Sequence, residues 1–183
     1  MASPYVGLYD DAGTRSSFFR IVGNKKLGFK CFLNKNSAEF SYKIQQGLAK
    51  DDMAPRVYGE VGRIRYGGEL TDWGYLTEVA KPMAVCCEED CDGDCYDSDC
   101  SNSVDIQSTV WVLNNYHGLS YVDAHRANFG WIRRKNMSML VPIDFGIESF
   151  NGIDENIWGE IDWDGLAAEN TCNCTECRRY DYA

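Results

Sequence analysis

The sequence contains no run of 18 apolar residues, so no membrane-spanning segment is expected. Its first residues, MASPYVGLYDD, lack a basic region followed by an apolar stretch, so no secretory signal is expected either, and a cytoplasmic protein is the default reading. Lysine and arginine are missing from residues 82–125, and nothing in the chain suggests the basic face that nucleic-acid binding requires. The formal charge of -10 is concentrated: Glu88, Glu89, Asp90, Asp92, Asp94, Asp97 and Asp99 fall within twelve residues, and the remainder is only mildly acidic. Histidine is scarce, at two residues, which confines imidazole chemistry to His117 and His125. With 183 residues, 44% of them hydrophobic, the chain can bury the core of one domain, with or without an appendage.

What the chain does have is a pair of polar clusters set between apolar runs in residues 119–150. Asp123-Ala-His125-Arg-Ala-Asn128 precedes Phe129-Gly130-Trp131-Ile132, and Asp144-Phe145-Gly146 follows Met139 to Ile143. The apolar runs read as two strands of a hairpin, with Arg133-Arg134-Lys135-Asn136 as its polar turn. Two carboxylates and an amide gathered at the ends of such a hairpin suit a hard cation, with the phosphates of a nucleotide as further ligands. The alternative is three ordinary turn residues, since Asp and Asn both favour turns.

This D-x-H-x-x-N pattern, followed by a hydrophobic strand and D-F-G, resembles the catalytic core of the protein-kinase-like phosphotransferases. The D-x-H form is closer to aminoglycoside-kinase-type enzymes and to small kinase-like proteins of tailed bacteriophages. The resemblance covers roughly residues 8–150. It implies an α+β, two-lobed fold: an N-lobe over residues 1–80, with a five-stranded antiparallel sheet and one helix, and a truncated C-lobe over residues 81–183. It also implies ATP and magnesium as cofactors and transfer of the γ-phosphoryl group to a hydroxyl. Asp123 would orient or deprotonate that hydroxyl, Asn128 and Asp144 would hold magnesium, and His125 would contact the reacting phosphate or brace the loop. His117 reads instead as a helix C-terminal residue beside free carbonyls.

The remaining site residues come from the first half of the chain. Ser16–Val22 and Leu27–Leu33 read as strands, and alternation sets Leu27, Phe29, Cys31 and Leu33 against Gly28, Lys30 and Phe32. Lys30 resembles the family's phosphate-anchoring strand lysine, although a solvated strand lysine has the same local pattern. Gly13, Ser16 and Ser17 stand where the glycine-rich phosphate loop belongs, or form a plain hairpin turn. A helix from Ser37, as its cap, to about Lys50 carries Glu39, which either pairs with Lys30 or is a first-turn acid favoured by the helix dipole. Strands over Val61–Tyr66 and Trp73–Val79 flank the Gly67-Gly68 turn. Residues 76–80, with Glu78, resemble the hinge whose backbone would bond an adenine. A second helix, Val104–His117, is expected to bury Ile106, Val110, Trp111, Leu113 and Asn114 and to stop at Gly118.

Two cysteine clusters complete the picture: Cys86, Cys87, Cys91, Cys95 and Cys100 in an insertion, and Cys172, Cys174 and Cys177 near the end. Zinc suits these thiols better than disulfides do in a cytosolic setting, and disulfides or free thiols remain open. Calcium at Asp90, Asp92 and Asp94 is disfavoured because the glycine is misplaced and no distal Glu follows. Only 39 residues follow Asp144, which leaves no room for a large substrate platform. The functional expectation is thus a minimal kinase, with a viral kinase included and the host cytoplasm as its place in that case. The alternative is a weak or inactive kinase-like scaffold that binds a host protein. A nucleotide and a host or substrate protein are the expected partners.

Overall fold

The computed structural model describes residues 6–12, 16–66, 68–83 and 103–151. Gly13 and the eight cysteines of 86–100 and 172–177 lie outside the described residues. Three antiparallel strands open the fold: β1 (Val6–Ala12), β2 (Ser16–Ile21) and β3 (Asn24–Phe32). β2 and β3 turn through Val22-Gly23, with Gly23 at φ +81°, a conformation glycine adopts without steric cost. The turn is shorter than expected, and Leu33 falls outside β3 with 75% of its surface exposed. Within β3 the alternation holds: Leu27, Phe29 and Cys31 pack with Ile21 and Leu76, while Phe32 faces the other side, against Ala38 and Tyr75.

Helix α1 (Lys35–Lys50) starts two residues before the expected point. Its cap is Asn34, whose Oδ1 accepts the Ser37 backbone N–H at 2.8 Å, so Ser37 donates a hydrogen bond to the cap and is not the cap itself. β4 (Val57–Gly62) begins earlier than the expected strand and ends within it. The short pair β5 (Arg65–Tyr66) and β6 (Glu69–Leu70) turns through Gly68 at φ +93°. β7 (Trp73–Glu78) then enters between β3 and β4, giving a five-stranded antiparallel sheet in the order β1-β2-β3-β7-β4. Gly74 makes that insertion possible, since a Cβ there would run into the Lys30 carbonyl oxygen and lie 2.7 Å from the Cys31 Cα.

Val79 and Ala80 carry the chain out of the first sheet, and β8 (Lys81–Pro82) joins a second one. Helix α2 (Ser103–Tyr116) buries Ile106, Thr109, Val110 and Leu113. Trp111 and Asn114 depart from the expected stripe: both are exposed, Trp111 at 55% with its ring edge-on to Tyr116. Gly118, at φ +62°, ends the helix, and the Leu119 N–H returns to the Leu113 carbonyl at 3.0 Å. A 3-10 turn over Arg126–Asn128 leads into β9 (Phe129–Arg134) and β10 (Met137–Pro142), with sheet order β10-β9-β8. The hairpin turn is Lys135-Asn136 alone, with Lys135 at φ +51°. Arg133 and Arg134 belong to the strand, and Arg134 is buried.

Among the described residues the architecture is therefore α+β, with antiparallel sheets and two helices. The main core joins both halves of the chain: Phe40, Ile44 and Leu48 of α1 pack with Ile106, Val110 and Leu113 of α2 and with Phe129, Phe145 and Phe150. Burying such side chains stabilises by about 1.5–3 kcal/mol each, so α1 holds the first sheet onto the second half. No helix among the described residues is long and apolar enough to cross a membrane.

Candidate functional site

A cleft of about 630 Å³ opens between the two sheets, with Ser16, Phe18, Lys30 and Thr77 on one side and Asp123, His125, Asn128, Ile143 and Asp144 on the other. β7, hydrogen-bonded beside β3, brings the outgoing residues Val79 and Ala80 to one end of this cleft. The β9–β10 hairpin delivers the opposite wall. Asn128 stands just before β9 and Asp144 just after β10, and the two ends are tied by the Ile143 N–H to the Asn128 carbonyl at 2.8 Å.

Lys30 is buried, and its Nζ donates to Asp144 Oδ1 at 2.6 Å and to the Ile143 carbonyl at 3.0 Å. It also lies 5.5 Å from the centre of the Phe32 ring, where the π-face favours a cation. Burial works to raise the Asp144 carboxyl. The Lys30 charge and hydrogen bond, with the N–H groups of Gly146 and Phe145, outweigh it and hold the carboxyl below its ordinary value. Phe145 is fully buried in the core beneath, and the Tyr121 hydroxyl donates to the Asp144 carbonyl at 3.2 Å, so the turn after β10 is anchored on both sides.

Asp123, His125 and Asn128 form one bonded group. The Asn128 Nδ2 donates to Asp123 Oδ2 at 2.7 Å and to the Asp123 carbonyl at 3.0 Å. The His125 Nε2 lies 2.9 Å from the same Nδ2 and 3.3 Å from Asp123 Oδ1. With two oxygens fixing the amide nitrogen, the Asn128 Oδ1 is the atom left to meet a metal. His117 is elsewhere. Its Nδ1 lies 3.9 Å from Asp51 Oδ2, and burial lowers its pKa.

Several expected site residues are placed differently. Glu39 does not reach Lys30: its Oε1 lies 3.1 Å from Lys35 Nζ, one helical turn back. The helix side chain that lines the cleft is Gln45, which donates to Thr77 Oγ1 at 2.7 Å and to the Pro55 carbonyl at 2.8 Å, and accepts from the Tyr75 hydroxyl at 2.9 Å. Ser16 lines the cleft, whereas Ser17 pairs with Cys31 and falls on the opposite face by alternation. Glu78 turns its carboxylate to Arg134, and its N–H donates to the Arg56 carbonyl at 2.8 Å. The cleft also includes Phe18 and Glu148, which the sequence pattern did not single out. The Glu148 carboxylate lies close over Gly146.

Magnesium needs only one or two protein carboxylates when phosphates and waters complete its shell, and Asp144 with the Asn128 amide oxygen meets that demand. No group of three or more His, Cys, Asp or Glu side chains able to hold a metal occurs among the described residues. No protein-family model matches the chain, and no curated protein matches it.

Proposed function

We propose that the protein is a minimal ATP-dependent phosphotransferase of the protein-kinase-like type, which moves a γ-phosphoryl group to the hydroxyl of an acceptor. The observation that carries this reading is the meeting of Lys30 and Asp144 at 2.6 Å inside a cleft that also holds Asp123 and Asn128. Residues 114 positions apart have been brought to one point, a buried cation against a carboxylate, on the wall of a space of nucleotide size. The two-lobed description belongs to this reading, with the first sheet and α1 above the cleft, the second sheet and α2 below it, and 76–80 as the hinge.

In this mechanism Lys30 would serve the phosphate oxygens, and Asp144 and Asn128 would hold a magnesium ion. The chemistry it would supply is neutralisation of phosphate charge. Asp123, steadied by the Asn128 amide, accepts the hydrogen bond of the attacking hydroxyl and takes its proton. Positioning and charge compensation do most of the work, because the phosphoryl group carries its own reactivity. Zinc at the two cysteine clusters is part of the same proposal and predicts about one or two zinc ions per chain by elemental analysis. The cytoplasm, or a host cytoplasm for a viral protein, is the proposed place of action.

One observation favours the second reading, a weak or inactive kinase-like scaffold that grips a host protein. The α1 side chain that lines the cleft is the neutral Gln45, and the helix carboxylate, Glu39, bonds to Lys35 and not to Lys30. Incubation with labelled ATP and magnesium, with and without candidate acceptor proteins, separates the two. Transfer or self-labelling supports the enzyme, and tight partner capture with no transfer supports the scaffold.

A further inference from the structure

We infer that Arg134 is a positioning residue for the proposed reaction. It fixes the tilt of the β9–β10 hairpin against residues 78–80, so that one nucleotide meets both ends of the cleft at once. This inference rests on the nucleotide-site reading above and adds a residue which that reading does not contain. Arg134 is not among the residues that line the cleft. It ends β9, and Asn128 immediately precedes the same strand. β10 pairs with β9 from Met137↔Arg134 to Pro142↔Phe129 without a register shift, and Asp144 follows two residues later. The hairpin is therefore one stiff arm, with Arg134 at its turn end and Asn128 and Asp144 at its cleft end.

The arm meets the first sheet near both ends. At the cleft end the contact is Lys30 to Asp144, whose side chain lines the space a ligand would fill. At the turn end the buried Arg134 guanidinium donates to Glu78 Oε1 at 2.9 Å, to Glu78 Oε2 at 2.7 Å and to Asp52 Oδ1 at 2.7 Å. Glu78 is itself fixed, since its N–H donates to the Arg56 carbonyl at 2.8 Å and its Oε2 accepts the Arg56 N–H at 3.1 Å. Val79 and Ala80, which line the cleft, follow directly. The backbone gives an independent sign. Asp52, at φ +59°, and Lys135, at φ +51°, are the two non-glycine residues at positive φ among the described residues. One is a partner of Arg134 and the other its chain neighbour. That conformation is disfavoured for a residue with a Cβ, and it persists where surrounding contacts over-determine it. An arm held only at its ligand end can tilt, and small misplacements of reacting groups are costly. The buried contact at the far end removes that freedom.

The test is calorimetric titration of the full chain with magnesium-ATP and with magnesium-tripolyphosphate, which has no base to reach the hinge. It is run at a temperature where each protein is folded, on the wild type, Arg134→Met, Glu78→Gln and the two substitutions combined. The wild type should bind magnesium-ATP at least about tenfold more tightly than magnesium-tripolyphosphate. Each single variant should weaken ATP by about tenfold and tripolyphosphate by less than about twofold. The combined variant should weaken ATP no further, because both substitutions break one contact. A residue that served stability alone would leave all these affinities unchanged. Arg134→Met binding ATP as tightly as the wild type, or losing both ligands equally, overturns the inference and leaves the phosphate site standing. So does a wild type that binds ATP no more tightly than tripolyphosphate. Failure of the wild type to bind either ligand overturns both. If Arg134→Met does not fold, Arg134→Lys takes its place, with an expected loss of ATP affinity of about threefold.

Discussion

Arg134 grips Glu78 at two points, Nη2 to Oε2 at 2.7 Å and Nη1 to Oε1 at 2.9 Å, and this pair ties the second sheet to the last residue of β7. The Arg134 Nε reaches Asp52 Oδ1 at 2.7 Å, so one buried guanidinium holds the end of α1, the outgoing edge of the first sheet and the hairpin that carries Asn128 and Asp144. The planar fork of arginine suits this bidentate contact in a way a lysine ammonium does not. The shape of the cleft depends on it, because Glu78 and the residues after it form the cleft's end wall.

Removing the guanidinium leaves the Glu78 and Asp52 carboxylates with only the exposed Arg56, 4.0 Å from Asp52, as a nearby cation. Arg134→Met should therefore lower the unfolding free energy by about 3 kcal/mol, the lower end for a buried pair stripped of one partner. Urea denaturation checks this. Arg134→Lys should recover less than half of the loss, since one ammonium cannot satisfy both Glu78 oxygens and Asp52.

The same pair has a pH signature. Burial works to raise the Glu78 carboxyl, but the Arg134 hydrogen bonds and charge, with the Arg56 N–H, bring it below its ordinary value of 4.5. A carboxyl depressed in the folded state contributes stability that is full above its unfolded value and is lost as the pH falls through its folded one. The stability gap between wild type and Glu78→Gln should thus be widest near neutral pH and should close as the pH drops below 4.5. Thermal melts at stepped pH measure it, and a gap that widens in acid would contradict the assignment.

The start of α1 gives a local prediction that separates two residues three apart. Asn34→Ala removes the acceptor for the Ser37 N–H and should cost about 1 kcal/mol, whereas Ser37→Ala should cost no more than a few tenths. Asn34→Asp should restore most of the loss. Equilibrium denaturation of the three variants would show the reverse order if Ser37 were the cap.

How much of this was legible from residues alone follows from how local each signal is. Lys30 could be placed because strand alternation fixes its face, and Asp123, Asn128 and Asp144 because each sits in a short polar cluster beside an apolar run. Arg134 could not: its carboxylate partners lie 56 and 82 positions away, and Arg133-Arg134-Lys135-Asn136 has the composition of a turn that only the last two residues adopt. On α1, Ser41 and Gln45 interrupt the apolar period and read as surface positions. They are buried because Tyr75 and Thr77, on a strand some thirty residues later, bond to them. Trp111 was counted into the α2 stripe for its size, yet it lies one position past Val110, on the side that faces outward. Phe18 is one of two phenylalanines in Ser16–Val22, and only the missing side chain of Gly28 marks it as the one that fills the cleft.

The most direct test of the phosphate site is calorimetric titration of ATP, with and without magnesium, into the wild type and Asp144→Asn. The asparagine keeps a hydrogen-bond acceptor for Lys30 and removes the charge a metal needs. The account predicts that magnesium tightens ATP binding to the wild type and has no effect on Asp144→Asn, which should melt as a folded protein. Equal magnesium-ATP affinity in the two proteins would contradict it.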